Sequence, residues 1–291
     1  MKTPSIFPSA MDVVFFGDDA SSDDESTLAA EADLVVTTTI IASDACFVQY
    51  KGVYCNRDVA VQLAYTAPQV DALRNELYIR SRFSSPHFVE LLDVRHNDSP
   101  RPVAIFEYMD RGSVRDYLEV PANKLTARFT LAVANAVARA LLDLHSHEIL
   151  HGDIKAANVL LASDGAIKIG YLGLAQVVDE ATPRALGTGT LCWMAPEVFE
   201  DTSYSFPADI YSYGMFLTEL DTRHKPYADM RLHVWDVVAG VRSGALRPML
   251  QPDCRPWLRD LATACLASDP QARPTAKDVV AILQELALEA P

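Results

Sequence analysis

The 291-residue chain contains no apolar run approaching the roughly 20 residues that cross a bilayer. Nor does it open on a basic segment followed by an apolar stretch, so neither a membrane span nor a secretory signal is expected. Cysteine is scarce and unpatterned: five residues, at 46, 55, 192, 254 and 265, form no C-x-x-C pair and leave an odd one. This argues against a disulfide framework or a zinc site and fits reduced thiols in a cytoplasmic or nuclear setting. Cations are the minority, 25 Lys and Arg against 39 Asp and Glu, a net charge of -14. That balance disfavours nucleic acid and anionic lipid as partners. No repeat of fixed period is visible.

What is present is the material of a globular protein: 49% apolar residues and 9% aromatics, enough for one large domain or two lobes. Half of the charge excess lies in residues 1–33, where Lys2 faces eight acids. This stretch reads as an acidic disordered leader, either a docking tail or a solvated segment. From residue 34 short β-branched and aromatic runs follow: "LVVTTTII", "CFVQYKGVY", "DVAVQLAY", "FVELLDV" and "VAIFEYM". They predict strands. Between the third and fourth, "APQVDALRNELYIRSRF" predicts one helix, with Val70, Leu73, Leu77 and Ile79 on its apolar face. Beyond residue 112 the pattern turns helical, with stripes at 127–147, 206–221, 230–244, 254–267 and 275–290. One hairpin, "NVLLASDGAIKI", interrupts them with an Asp164-Gly165 turn. The expectation is an α+β, two-lobed fold over 34–288. A sheet lobe with one helix covers about 34–107 and a larger helical lobe about 112–288, with a ligand crevice near residue 108.

Three ordered motifs, "HGDIKAANVLL", "IKIGYLGLA" and "GTGTLCWMAPEVF", give the chain a resemblance to the eukaryotic protein kinases, most like their tyrosine-kinase-like serine/threonine branch, over about residues 38–288. The resemblance implies Asp153 as catalytic base, Lys155 beside the transferred phosphate and Asn158 as a metal ligand. It implies a nucleotide pocket involving Ala60, Gln62, Glu76, Phe106 and Leu160. It also implies supporting roles for His151, for Thr190 bonded to Asp153 and Lys155, for Asp209 beneath the catalytic loop, and for a buried Glu197–Arg273 ion pair.

The chain departs from the family where a charged nucleotide is gripped. Ala42, Asp44 and Phe47 stand at the three positions of the glycine loop, and Asp44 brings a like charge towards phosphates. Gln49 replaces the valine that follows the loop, and Gln62 replaces the third-strand lysine. Glu76 is thereby left without its usual cation, and Arg80, one turn on, is expected to pair with it or to stack on Tyr171. Lys51 is a remote candidate to replace the lost lysine. Tyr171 stands for the magnesium-holding aspartate, a poor exchange because Mg²⁺ prefers carboxylate oxygen. Gly152 replaces the arginine that precedes Asp153.

These departures point to a pseudokinase, a cytoplasmic or nuclear signalling module whose partners are other signalling proteins, an active kinase among them. No cofactor is expected on this reading. The alternative is a weakly active Ser/Thr kinase using ATP and magnesium, and a third reading is a metal-independent nucleotide sensor.

Overall fold

The computed structural model describes residues 27–30, 33–97, 99–178, 190–200 and 205–289. The chain divides into two units. The first ends at Leu73 and resumes over Glu90–Tyr108; the second takes Arg74–Val89 and Met109–Pro291.

The first unit is a six-stranded antiparallel sheet. Its strands are β1 (Thr27–Ala30), β2 (Leu34–Ser43), β3 (Val48–Tyr54), β4 (Arg57–Leu63), β5 (Leu91–Arg95) and β6 (Val103–Glu107), in the order β1-β2-β3-β4-β6-β5. Period-two alternation sends Leu34, Val36, Val59, Val61, Leu63, Val103 and Ile105 to one buried face, where Tyr50, Tyr54 and Tyr65 pack against them. Gly52 is required on β3, because a Cβ there would stand 2.8 Å from both the Val35 carbonyl and Val61. The sheet begins earlier than expected. Thr27–Ala30, placed in an unstructured leader by composition, instead pair antiparallel with β2. These residues fall in the uncharged gap between Glu25 and Glu31, so they can complete a sheet edge without bringing in charge. Residues 1–26 and 31–32 of that expected leader lie outside the described residues.

Helix α1 (Ala67–Arg82) starts with the sheet, and its second half counts with the second unit. Its buried stripe runs through Gln69, Ala72, Leu73, Glu76 and Ile79, while Val70 and Leu77 are only half-buried. The expected apolar face is thus rotated to include two polar residues, and both are satisfied. Gln69 Oε1 accepts from the Tyr65 and Thr66 amides at 2.9 and 3.3 Å, closing the helix N-terminus, and Glu76 accepts from Arg80.

The second unit is helical: α2 (Val114–Glu119), α3 (Ala127–Ser146), α4 (Phe206–Thr222), α5 (Val234–Arg242), α6 (Pro256–Cys265) and α7 (Ala276–Glu289). Helix α3 starts at Thr126, whose hydroxyl accepts from the Phe129 amide, and its apolar stripe Val133, Val137, Leu141 and Leu144 enters the main core. Helix α4 is buried around its whole circumference from Ala208 to Leu220. It is the central post of the unit, and its buried polar side chains Asp209, Ser212, Thr218 and Glu219 are all hydrogen-bonded. Gly214 lets α6 approach it, since a Cβ would meet Leu266 Cγ at 2.8 Å and Cys265 Cβ at 2.9 Å. The predicted hairpin forms as β8 (Val159–Leu161) and β9 (Ile167–Ile169), turning at Gly165 with φ +92. A two-residue strand, β7 (Ile149–Leu150), pairs with β10 (Gln176–Val177).

Candidate active site

Between β7 and β8 the chain makes the loop His151–Asn158, which α4 holds from below. Asp209, in the first turn of α4, is fully buried and accepts from the backbone amides of His151 (2.8 Å) and Gly152 (2.9 Å) and from His145 Nε2 (3.0 Å). Burial alone would raise the Asp209 carboxyl, but the bond and charge of His145 and the His151 amide outweigh it, and its pKa lies below the ordinary value. Gly152 sits at φ +77, a conformation that costs a side chain about 1–2 kcal/mol. His151 Nδ1 accepts the Asp153 amide at 3.2 Å, which makes Nε2 the proton-bearing nitrogen, and burial drives this imidazole below its ordinary pKa.

The loop then presents one connected polar group. Thr190 Oγ1 donates to Asp153 Oδ1 at 2.6 Å and accepts from Lys155 Nζ at 2.9 Å. Lys155 Nζ stands 2.7 Å from Asp153 Oδ2. Asn158 Nδ2 donates to the Asp153 carbonyl at 2.7 Å and to its Oδ2 at 2.9 Å. Burial would push Asp153 up; the Lys155 charge, with Thr190 and Asn158 as donors, holds it below the usual carboxylate value. Asp153 is therefore ionised at neutral pH, its carboxylate held by Thr190, Lys155 and Asn158. Further along, the Arg273 guanidinium meets both oxygens of Glu197, at 2.6 and 2.9 Å, and closes the segment after Thr190 onto α4 through the Pro207 carbonyl.

The remaining candidate residues lie in an altered setting. In the second unit Leu160 sits on β8 opposite Lys168, beside the loop. Tyr171 is buried and takes φ +64, a left-handed conformation that costs a bulky residue about 1–3 kcal/mol. Asn75 fixes the turn that follows, donating to the Gly173 and Ala175 carbonyls at 3.0 and 2.8 Å. Glu76 is buried, and its cation comes from its own helix: Arg80 Nε and Nη2 reach Glu76 Oε1 at 3.0 and 2.9 Å, while Arg80 Nη1 donates to the Val89 carbonyl at 2.7 Å.

In the first unit Ala60 on β4 pairs with Phe106 on β6, and both are buried. Gln62, two residues along β4, is buried opposite Gln49, whose Nε2 donates to the Gln62 side-chain Oε1 at 3.2 Å. Lys51 does not take the missing lysine's place. It pairs with Asp58 at 2.9 Å and lies 5.0 Å over the Tyr108 ring. In the β2–β3 turn Asp44 Oδ1 accepts the amides of Cys46 (2.7 Å) and Phe47 (3.2 Å). Backbone N–H groups that a glycine loop would offer to phosphate are consumed by this carboxylate.

Neither unit, taken by itself, offers the groups that the resemblance assigns to magnesium and a triphosphate. In the first unit the β2–β3 turn carries Asp44, and position 62 on β4 carries a neutral amide; in the second, position 171 carries a phenol and not a carboxylate. No catalytic step is derived through them. Sequence reasoning missed Glu219 of α4. It is buried and accepts from the Ala156 amide (2.9 Å) and Trp193 Nε1 (2.8 Å), with Arg115 Nη1 at 3.4 Å. Burial raises its pKa to about 7 against the pull of those donors. An acid between the largely apolar "MFLT" and Leu220, ten residues after Asp209, was the available signal.

Comparison with known proteins agrees with this geometry. The family model for "Protein tyrosine and serine/threonine kinase" matches residues 46–283. The chain is similar to serine/threonine-protein kinase STY17 of Arabidopsis thaliana, 31% identical over 244 residues, covering 82% of this chain and 42% of that protein. It is similar to a probable LIM domain-containing serine/threonine-protein kinase of Dictyostelium discoideum, 32% identical over 254 residues, covering 85% and 38%. Serine/threonine/tyrosine-protein kinase HT1 of Arabidopsis thaliana is 29% identical over 245 residues, covering 81% and 62%. The chain spans less than two thirds of the length of each of these relatives. With the family model covering most of the chain, the chain belongs to the protein tyrosine and serine/threonine kinase family.

Proposed function

We propose that the chain is a catalytically impaired member of this family, a pseudokinase that works as an interaction or allosteric module in cytoplasmic signalling. The observation that carries the reading is Gln62, buried and hydrogen-bonded to Gln49 where a cation would neutralise the nucleotide. Three others support it: the Asp44 carboxylate in the β2–β3 turn, Tyr171 beside the loop, and a Glu76 already paired within its helix. Loss of one preorganised charge-stabilising group commonly lowers turnover by about 10²–10³. Here several are altered, against a typical kinase turnover of roughly 1–100 per second.

A second reading, a weak Ser/Thr kinase, is favoured by one specific arrangement: Asp153, Lys155, Asn158 and Thr190 are assembled with bonds of 2.6–2.9 Å. A radiometric phosphotransfer assay separates the two. Wild type and Asp153→Asn are expected to give the same background. Turnover present in wild type and abolished in Asp153→Asn would establish the enzyme instead. Thermal-shift titration adds the ligand axis. No stabilisation by ATP, with or without Mg²⁺ or Mn²⁺, is expected of the interaction module, and metal-dependent stabilisation belongs to the enzyme.

A further inference from the structure

Within the second unit, Glu219 ties the loop His151–Asn158, the segment after Thr190 and helix α2 to α4. Its Oε2 accepts both the Ala156 amide (2.9 Å) and Trp193 Nε1 (2.8 Å), so both lone pairs of that oxygen are taken. Its Oε1 is left for α2, where Arg115 Nη1 stands at 3.4 Å. Arg115 has a second carboxylate in reach. Its Nε lies 3.3 Å from Glu119 Oε1, one helical turn on, and has no aligned hydrogen bond among the described residues. Both contacts are longer than the about 2.7–2.9 Å of a charge-assisted bond. The guanidinium is thus shared between a buried acid and an exposed one, the Glu219 side chain being 1% exposed and that of Glu119 62%.

The remaining contact of Arg115 does not involve either acid: Nη2 donates to the Arg223 carbonyl. Arg223 separately clasps the end of α2 and the turn that follows, donating to the carbonyls of Leu118 (3.1 Å), Val120 (2.7 Å) and Asn123 (2.9 Å). The neighbouring charges are committed elsewhere. On α2, Asp116 closes the helix start at Ser113. On the loop, Lys155 and Asp153 are bonded to each other and to Thr190, and after Thr190 the Glu197 carboxylate is held by Arg273. On α4, Asp209 takes His145 and the His151 amide, and Asp221 takes the Gln251 amide.

We propose that α2 is held to α4 by a proton-operated clamp: ionised Glu219 draws Arg115 onto α4, and protonated Glu219 releases it to Glu119. The reason lies in which atom takes the proton. With Oε2 already accepting two N–H groups, the proton goes to Oε1, and an O–H there meets the Arg115 N–H donor to donor. Glu119 is then the acceptor carboxylate left to Arg115. Burial of Glu219, working against its donors, places this exchange near pH 7. Above that pH Glu119 stands free at the surface; below it, Glu119 is paired within α2. The clamp stands whether or not the chain transfers phosphate, so its test is independent of the pseudokinase reading.

The readout is the Trp193 indole N–H in a proton–nitrogen correlation spectrum of the full chain, assigned by its loss in Trp193→Phe. Between pH 5.5 and 8.5 its resonance is expected to titrate with one midpoint near 7. In Glu219→Gln, checked for folding by circular dichroism, it should stay in place. Glu119→Gln is a surface change that removes the competing acceptor, so Arg115 stays on Glu219. The midpoint should then fall by roughly 0.2–0.7 pH unit, the worth of an exposed ion pair. A wild-type resonance that does not move over this range, or one that moves alike in Glu219→Gln, overturns the proposal. A midpoint unchanged in Glu119→Gln shows that Arg115 is not shared, and overturns the exchange. Should Glu219→Gln fail to fold, the Glu119→Gln midpoint still decides.

Discussion

Arg80→Leu tests the central physical claim about α1. Arg80 supplies two donors to Glu76, at 3.0 and 2.9 Å, and one to the Val89 carbonyl at 2.7 Å, and the Glu76 side chain is only 2% exposed. Removing one partner of a buried pair costs about 3–5 kcal/mol, because the other charge stays desolvated. Arg80 itself retains 10% exposure, which places the loss at the low end, and the packing of Leu returns part of it. The net expectation is a destabilisation of about 2–3 kcal/mol, which at ~2–4 °C per kcal/mol lowers Tm by about 4–12 °C in a calorimetric or dye-based melt. The double variant Glu76→Leu/Arg80→Leu should recover most of the loss, since an apolar pair in place of a buried ion pair is often neutral. If Arg80→Leu leaves Tm unchanged or raises it, the pair is not what holds Glu76 in the structure, and the reasoning fails.

Other consequences follow from the same geometry. Arg273→Met should cost about 3–5 kcal/mol in urea unfolding, because the Arg273 side chain is fully buried and both Glu197 oxygens lose its guanidinium. Glu219, held at about 7 by burial, keeps its proton in the folded chain after the unfolded chain has released it. Its contribution is thus fully present below about pH 4.5 and is lost as pH rises to about 7, a slope worth about 3 kcal/mol. Glu219→Gln should flatten stability between those pH values, and an unchanged slope would remove Glu219 as its source. Gly214→Ala should cost about 1–3 kcal/mol through overpacking of α4 on α6, and a melt within 1 °C of wild type would show that Leu266 yields freely.

The frame of this protein was legible because its signals are local. Strand alternation in "DVAVQLAY", the helical stripe of 127–147 and the Asp164-Gly165 turn each act within a dozen residues, and the observed elements begin and end within a few residues of those runs. The Glu76–Arg80 pair was readable for the same reason, one helical turn apart. What local pattern did not reveal depends on partners distant in sequence. The buried stripe of α1 turned towards Gln69 and Glu76 once their donors were supplied, and Thr27–Ala30 became a strand because β2 offered an edge. The sequence alone settled which groups are absent: no glycine in the β2–β3 turn, no lysine at position 62 and no carboxylate at 171. Only the tertiary structure decided what took over their surroundings. Asp44 accepts the Cys46 and Phe47 amides within its turn, Gln49 reaches Gln62 across the sheet, and Glu219 is buried beneath Ala156, because a hydrogen bond or a desolvation cost exists only where folding brings the groups together.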